Sequence, residues 1–181
     1  MTWMFNDLDV RYGIAMTASA PRVLGAADLT ASPMLAASLL ALNNANAREL
    51  SWLEPHRLAH LVSQAFLAAR VDDAALLLAF AQDADYDSPN FLWFRERYER
   101  FVYVDRVVVA PAARGHGLAR RLYRDLFDAA RRGGHHRVVC EVNSEPPNPV
   151  SDAFHAAMGF SAVGSGEGDG GKIVRYLVKD L

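Results

Sequence analysis

The stretch "APAARGHGLA" (residues 110–119) sets one arginine among residues with little or no side chain. It follows the β-branched run Val107, Val108 and Val109 and leads into an amphipathic pattern. The first four N–H groups of a helix have no partner inside the helix, and with the helix dipole they attract an anion. Gly115, Gly117 and Ala119 keep bulk away from the amides of Arg114, His116 and Leu118, so a phosphate can approach the backbone, and Arg114 adds charge. The Lys-Ser/Thr ending of a P-loop is missing, so nothing here would hold a γ-phosphate and its magnesium. A dinucleotide loop would need Gly-x-Gly-x-x-Gly near the start of a longer βαβ series, and this loop comes late with the wrong spacing. Coenzyme A, with a pyrophosphate and no metal requirement, fits better than either nucleotide class. His116, His135 and His136 lack metal-ligand spacing and are expected at the surface, so no metal site is expected. Serine, histidine and aspartate are present, but no Gly-x-Ser-x-Gly turn supports a hydrolase.

The elements around this loop follow from punctuation and period. Residues 1–21 show no helical or strand pattern and read as an N-terminal extension. Ser32-Pro33 reads as a cap with proline at the first helical position, opening a helix through Leu35, Leu39 and Leu42. "LNNANAREL" is a polar break, after which Pro55 opens a second helix with Leu58, Leu61, Val62 and Ala65 on one face. Two strands around Val71-Asp72-Asp73 read as a hairpin. "FVYVDRVVVA" is a strand, residues 117–132 a helix ended by Gly133-Gly134, and "RVVCEVN" a buried-type strand. A short helix near residues 150–158 precedes a last strand pair around "GSGEGDGG". The order gives one α/β domain over residues 22–181 with a strand–helix–strand unit at its centre.

Composition agrees with an ordinary globular chain. Of 181 residues, 51% are hydrophobic and 22% charged, a mix that folds. A net charge of -2 gives no reason to expect nucleic-acid binding. Cys140 is the only cysteine, so no intrachain disulfide forms and a reducing compartment is compatible. The longest apolar run, residues 74–81, is far short of the ~18 residues of a membrane span. The first residues carry Asp7 and Asp9 without a basic flank, unlike a secretory signal. The expected location is the cytoplasm.

"VVVAPAARGHGLARRL" resembles motif A of the GNAT N-acetyltransferases, with Arg114, Gly117 and Ala119 at its Arg/Gln-x-x-Gly-x-Gly/Ala positions. "VVCEVN" is similar to that family's next strand, and "FHAAMGF" to its short helix ending in Gly-Phe. The likeness is close from Phe101 onward and holds only in order of elements over residues 22–83.

The resemblance implies a mixed, mostly antiparallel central sheet flanked by helices, with splayed central strands that admit the thioester. It implies acetyl-CoA as cosubstrate and direct attack by a primary amine, either a small molecule or a protein N terminus or lysine. Main chain at Val107, Val108 and Val109 would bond the pantetheine arm and polarise the thioester carbonyl. The segment from Arg114 through Gly115, His116, Gly117, Leu118 and Ala119 would hold the pyrophosphate, and Asn143 would join the cofactor contacts. His155 stands in the slot where relatives carry a tyrosine that protonates the departing thiolate, a departure read either as a substitute acid or as a packing residue. Glu141 stands where some relatives carry a general base, and it can equally be a strand residue bonding its neighbours. Asp105 is a second base or acceptor-site candidate that could instead pair with Arg106. Asn43 and Asn44 fall where the family places part of the acceptor site, or they are turn residues. Asp85, Asp87 and Asn90 among the aromatics of "YDSPNFLWF" could cover the acceptor and attract its ammonium, or the segment is a helix burying Phe91, Trp93, Phe94 and Tyr98. A non-catalytic acyl-CoA-binding module is the alternative function, and a homodimer is compatible with the sequence.

Overall fold

The computed structural model describes residues 19–168 and 171–181, so most of the extension expected over residues 1–21 lies outside the described residues. After β1 (Arg22–Val23) come four helices: α1 (Ala26–Ala31), α2 (Pro33–Asn44), α3 (Ala47–Leu50) and α4 (Pro55–Gln64). The hairpin β2 (Leu67–Val71) and β3 (Ala75–Ala81) follows, then α5 (Pro89–Arg95), β4 (Val102–Val109), a 3-10 turn (Pro111–Ala113) and α6 (Leu118–Arg132). The chain ends with β5 (Arg137–Glu145), α7 (Pro149–Ala157), β6 (Ser161–Glu167) and β7 (Ile173–Asp180). The expected starts have local causes. Ser32 Oγ accepts the Leu35 N–H at 3.3 Å with Pro33 behind it, and Pro55 and Pro89 stand at the openings of α4 and α5. Asp72, at φ 49°, turns the hairpin.

The seven strands of the described residues form one sheet in the order β1-β2-β3-β4-β5-β7-β6. Every neighbouring pair is antiparallel except β4 and β5. Those two pair only at Val102↔Val138 and Tyr103↔Val139 and then part, which is the splay the sequence led us to expect. One face carries α1 to α5 over a core that includes Leu39, Leu58, Leu61 and Phe91. The other carries α6 over Leu122, Tyr123 and Leu126. β3, "ALLLAFA", is apolar throughout because both of its faces are covered.

A bulge in β4 decides what reaches each face. Leu78 pairs with Arg106 and Ala79 with Val104, so Asp105 is an extra residue in the ladder. Before it, Tyr103 belongs to the core under α1–α5 and Val104 to the core under α6; after it, Val108 belongs to the first and Val107 and Val109 flank the second. The alternation changes parity at the bulge. Asp105 and Arg106, adjacent in sequence, both therefore bond groups on the α1–α5 side.

Candidate active site

The loop between β4 and α6 keeps its backbone open. Gly115 (φ 81°) and Gly117 (φ 73°) are left-handed, a region that side chains disfavour, and a Cβ on either would meet nothing within 4 Å. Gly117 caps α6 with no side chain, so the first amides of α6 gain no side-chain partner from that residue. Leu118 is buried and anchors the helix, Ala119 is half-buried, and Arg114, Gly115, His116 and Gly117 are exposed. Arg114 is steadied by bonds from Nε to the Val109 carbonyl at 3.2 Å and from Nη2 to Asn46 Oδ1 at 3.1 Å, while His116 Nδ1 lies 3.0 Å from the Arg114 carbonyl. Open left-handed glycines, an uncapped helix start and a guanidinium make a donor set suited to a pyrophosphate.

Where β4 and β5 part, one edge of β4 has no strand beside it. Val107 and Val109 are half-buried there, while the Val108 side chain is buried under the helices, so its contribution to a ligand in the gap would come from main chain. Glu141 lies two residues past the last β4–β5 pair. Its Oε1 accepts the Tyr103 O–H at 3.0 Å and the Asn90 Nδ2–H at 3.1 Å; its Oε2 is buried and has no partner among the described residues. Burial, then the charge of Asp105, push the Glu141 carboxyl up to about 8 against the pull of those two bonds. The carboxyl opens on a small cleft of about 60 Å³ that Tyr86, Asp105, Asn143 and Lys172 also line. Proton affinity near neutrality, a free oxygen and access to a cleft are what a general base needs.

Asp105 accepts the Tyr86 O–H on Oδ1 and the Arg106 Nε–H on Oδ2, the pairing with Arg106 foreseen as its alternative. Burial works against the Arg106 cation, but Asp105, joined by Tyr86 and Tyr103, more than offsets it and raises the guanidinium's pKa. Asn43 and Asn44 end α2 instead of forming a turn, and neither lines the cleft. Asn43 is fully buried: its Oδ1 accepts from Arg106 Nη1 at 2.8 Å and its Nδ2 donates to the Ser51 carbonyl. Asn44 grips Leu53 through both amide groups, donating to its carbonyl and accepting its N–H, each at 2.9 Å. The two asparagines hold the 51–53 segment against the site. Asp87 is exposed and lies 3.6 Å from Arg57.

His155 is 3% exposed and lines neither this cleft nor the larger cavity next to it. Its Nδ1 lies 2.8 Å from the Ser151 carbonyl, which fixes the proton on that nitrogen, and its Nε2 lies 2.7 Å from the Tyr123 hydroxyl, so Nε2 accepts. Burial lowers its pKa and keeps the ring neutral, leaving Nε2 without a proton to give. His135 corrects the surface expectation: it is 5% exposed and edge-on to Phe66, while His116 and His136 are exposed.

Four groups at the site had no motif to mark them. Tyr103 and Arg106 come from β4, Arg57 from α4 and Tyr86 from the loop before α5, and only Tyr103, on the same strand face as Asp105 in a regular strand, carried a positional hint.

The family model described as "Acetyltransferase (GNAT) family" matches residues 41–160. An L-methionine sulfoximine/L-methionine sulfone acetyltransferase of Salmonella typhimurium is 33% identical over 106 residues, 59% of this chain and 57% of that protein. A phosphinothricin N-acetyltransferase of Streptomyces coelicolor is 40% identical over 70 residues, 39% of this chain and 40% of that one. The chain thus spans about half the length of these curated relatives. Among solved structures, yncA of Salmonella typhimurium with its cofactor acetyl-CoA aligns with a TM-score of 0.60 at 20% identity, covering 90% of this chain and 93% of that one. The NatC complex bound to Gag peptide and CoA contains a chain that aligns at 0.65 with 15% identity over 90% and 98%. With the family model spanning well over half its length and the split sheet to match, the chain belongs to the GNAT acetyltransferase family.

Proposed function

We propose that residues 22–181 act as one acetyltransferase domain that moves an acetyl group from acetyl-CoA to a primary amine of a small molecule or of a protein N terminus or lysine. The observation that carries this reading is Glu141: a carboxyl with one oxygen bonded, the other free, and its pKa near 8, at the point where β4 and β5 separate. Acetyl-CoA, when bound, supplies an activated thioester carbon. The open amides between Gly115 and Ala119, with Arg114, would hold the pyrophosphate. The unpaired edge of β4 at Val107 to Val109 offers N–H and C=O groups to an amide-bearing arm, and Asn143 lines the cleft beside it. Glu141 Oε2 would take the proton of an incoming ammonium, since a base near 8 is matched to an amine's pKa within a few units. Tyr103 and Asn90 would keep the carboxyl oriented while it charges.

His155 has no proton-donating part in this proposal because both ring nitrogens are engaged. Loss of the family's tyrosine also favours the binding-module reading, and one experiment separates the two. Thiol release from acetyl-CoA is measured over a panel of primary amines. Amine-dependent release that Glu141→Gln abolishes supports acetyl transfer, and tight acetyl-CoA binding with no release for any amine supports a binding module.

A further inference from the structure

Next to the Glu141 cleft is a second, larger cavity of about 290 Å³ that the mechanism above leaves unused. The two share Ser51, Tyr86 and Ser88 as common walls. Their linings differ in the balance of charge. The first is lined by Glu49, Asp105 and Glu141, with Lys172 turned to the Arg48 carbonyl. The second is lined by the two arginines Arg57 and Arg106 and one carboxylate, Asp87, with Trp52 at its side.

Arg106 is the telling group. Its side chain is only 3% exposed, its Nε goes to Asp105 and its Nη1 to Asn43, and among the described residues its Nη2 has no protein partner. Placing an arginine so deep costs desolvation, and Asp105 and Asn43 offset that on two of its three nitrogens only. The remaining edge belongs to a residue that lines the cavity, where a planar oxyanion can meet it. Arg57, in the first turn of α4, lines the same space, lies over the Tyr86 ring at 5.8 Å, and is held to exposed Asp87 only loosely, at 3.6 Å.

We propose that this cavity is the anion pocket of the acceptor site: Arg57 and Arg106 hold a carboxylate of an acceptor whose amine lies at Glu141, so the acceptor is a small amino acid in the broad chemical sense. The inference rests on the acetyl-transfer reading for the amine end and narrows its acceptor class. An acidic cleft beside a basic cavity with shared walls suits a molecule carrying an ammonium and a carboxylate, the first going to Glu141 and the second to the arginines. An amine without a carboxylate would leave that guanidinium edge without a ligand partner.

The test uses the complete chain with saturating acetyl-CoA. L-alanine, β-alanine, 4-aminobutyrate and 6-aminohexanoate, which vary the spacing of the two charges, are each compared with their own primary amide. A charge-assisted bond in a partly desolvated pocket favours the acid by roughly 10–100-fold in kcat/KM for the best-fitting length. In Arg57→Gln, whose parent forms only a loose surface pair, that acid-to-amide ratio should fall toward one. Amides that react as well as the acids, with a ratio Arg57→Gln does not move, overturn the anion pocket and leave acetyl transfer standing. Calorimetry with 4-acetamidobutyrate needs no turnover. If no amine releases thiol, binding of this probe that Arg57→Gln removes still upholds the pocket while acetyl transfer falls, and no binding overturns the pocket as well.

Discussion

Replacing Glu141 with glutamine should stabilise the protein at alkaline pH while stopping its chemistry. The wild-type carboxyl has its pKa raised from 4.5 to about 8, first by burial and then by Asp105. A folded pKa above the unfolded one means the native state holds the proton more tightly. The stability this contributes is fully present below about 4.5 and is lost as pH rises to about 8, beyond which the loss is complete. At ~1.4 kcal/mol per pH unit the ceiling is roughly 5 kcal/mol, and water at the mouth of the cleft reduces the observable part to roughly half. Glutamine keeps an acceptor for Tyr103 and Asn90 and, like the protonated acid, leaves its outer atom unpartnered, so the two proteins should be equally stable near pH 5. Urea unfolding at pH 5 and pH 8.5 should therefore show a gap that opens only at the higher pH, by about 2–3 kcal/mol in favour of the variant. Thiol release in the presence of an accepted amine should fall by ~10²-fold or more. A gap that is the same at both pH values refutes the buried-acid account, and undiminished thiol release refutes the base assignment.

Three further perturbations separate the neighbouring roles. Tyr103→Phe removes a donor that favours the charged carboxylate, so the acid limb of the kcat/KM profile should move up by about one pH unit; an unmoved limb would detach Tyr103 from the titrating group. Ala119→Glu puts a carboxylate in the first turn of α6, where the helix dipole favours it by ~0.3–1 kcal/mol but a bound pyrophosphate would be repelled. Calorimetry should show acetyl-CoA affinity down at least ~10-fold with Tm not lowered, and unchanged affinity would move the phosphate site elsewhere. His155→Phe leaves the fully buried Tyr123 hydroxyl without its partner and should cost ~1–3 kcal/mol of stability with kcat little changed at a temperature where the variant is folded; a large fall in kcat there would restore His155 as an acid.

The glycine loop proposed for the cofactor was legible because its signal is local. Glycines at 115 and 117 are demanded by left-handed φ values that side chains disfavour, and the amphipathic pattern that follows has one reading as a helix. Gly117→Val, an obvious probe from sequence alone, is a poor one in the fold, since φ 73° makes it a backbone perturbation as well as a steric block. The cleft proposed for the acceptor was mostly illegible because its residues are brought together by topology. Asn43 and Asn44 read as turn formers by type, yet they are α2 residues whose amides clamp a segment eight or nine positions away. His155 was read from a slot in a motif, and the slot does not show that α6 supplies a tyrosine to bond it. Glu141 was identified by position, but the cause of its raised pKa, burial beside Asp105, required the neighbouring strand to be in place.

That neighbouring strand owes its arrangement to one inserted residue. In a regular β4, Asp105 would share a face with Tyr103 and Val107, and Arg106 would turn with Val104 and Val108 toward α6, where a guanidinium would have only an apolar core around it. The bulge at Asp105 moves Arg106 to the Asn43 side and sends Val107 and Val109 to the α6 side in its place. A single local change thus turns an arginine toward the second cavity, on the same side as the carboxylate that raises the Glu141 pKa. It also follows closely on the last β4–β5 pair, at Tyr103, so the strand changes parity where the sheet opens. The acceptor wall proposed above depends on this irregularity, and a deletion of Asp105 that restored the regular ladder would turn Arg106 away from it.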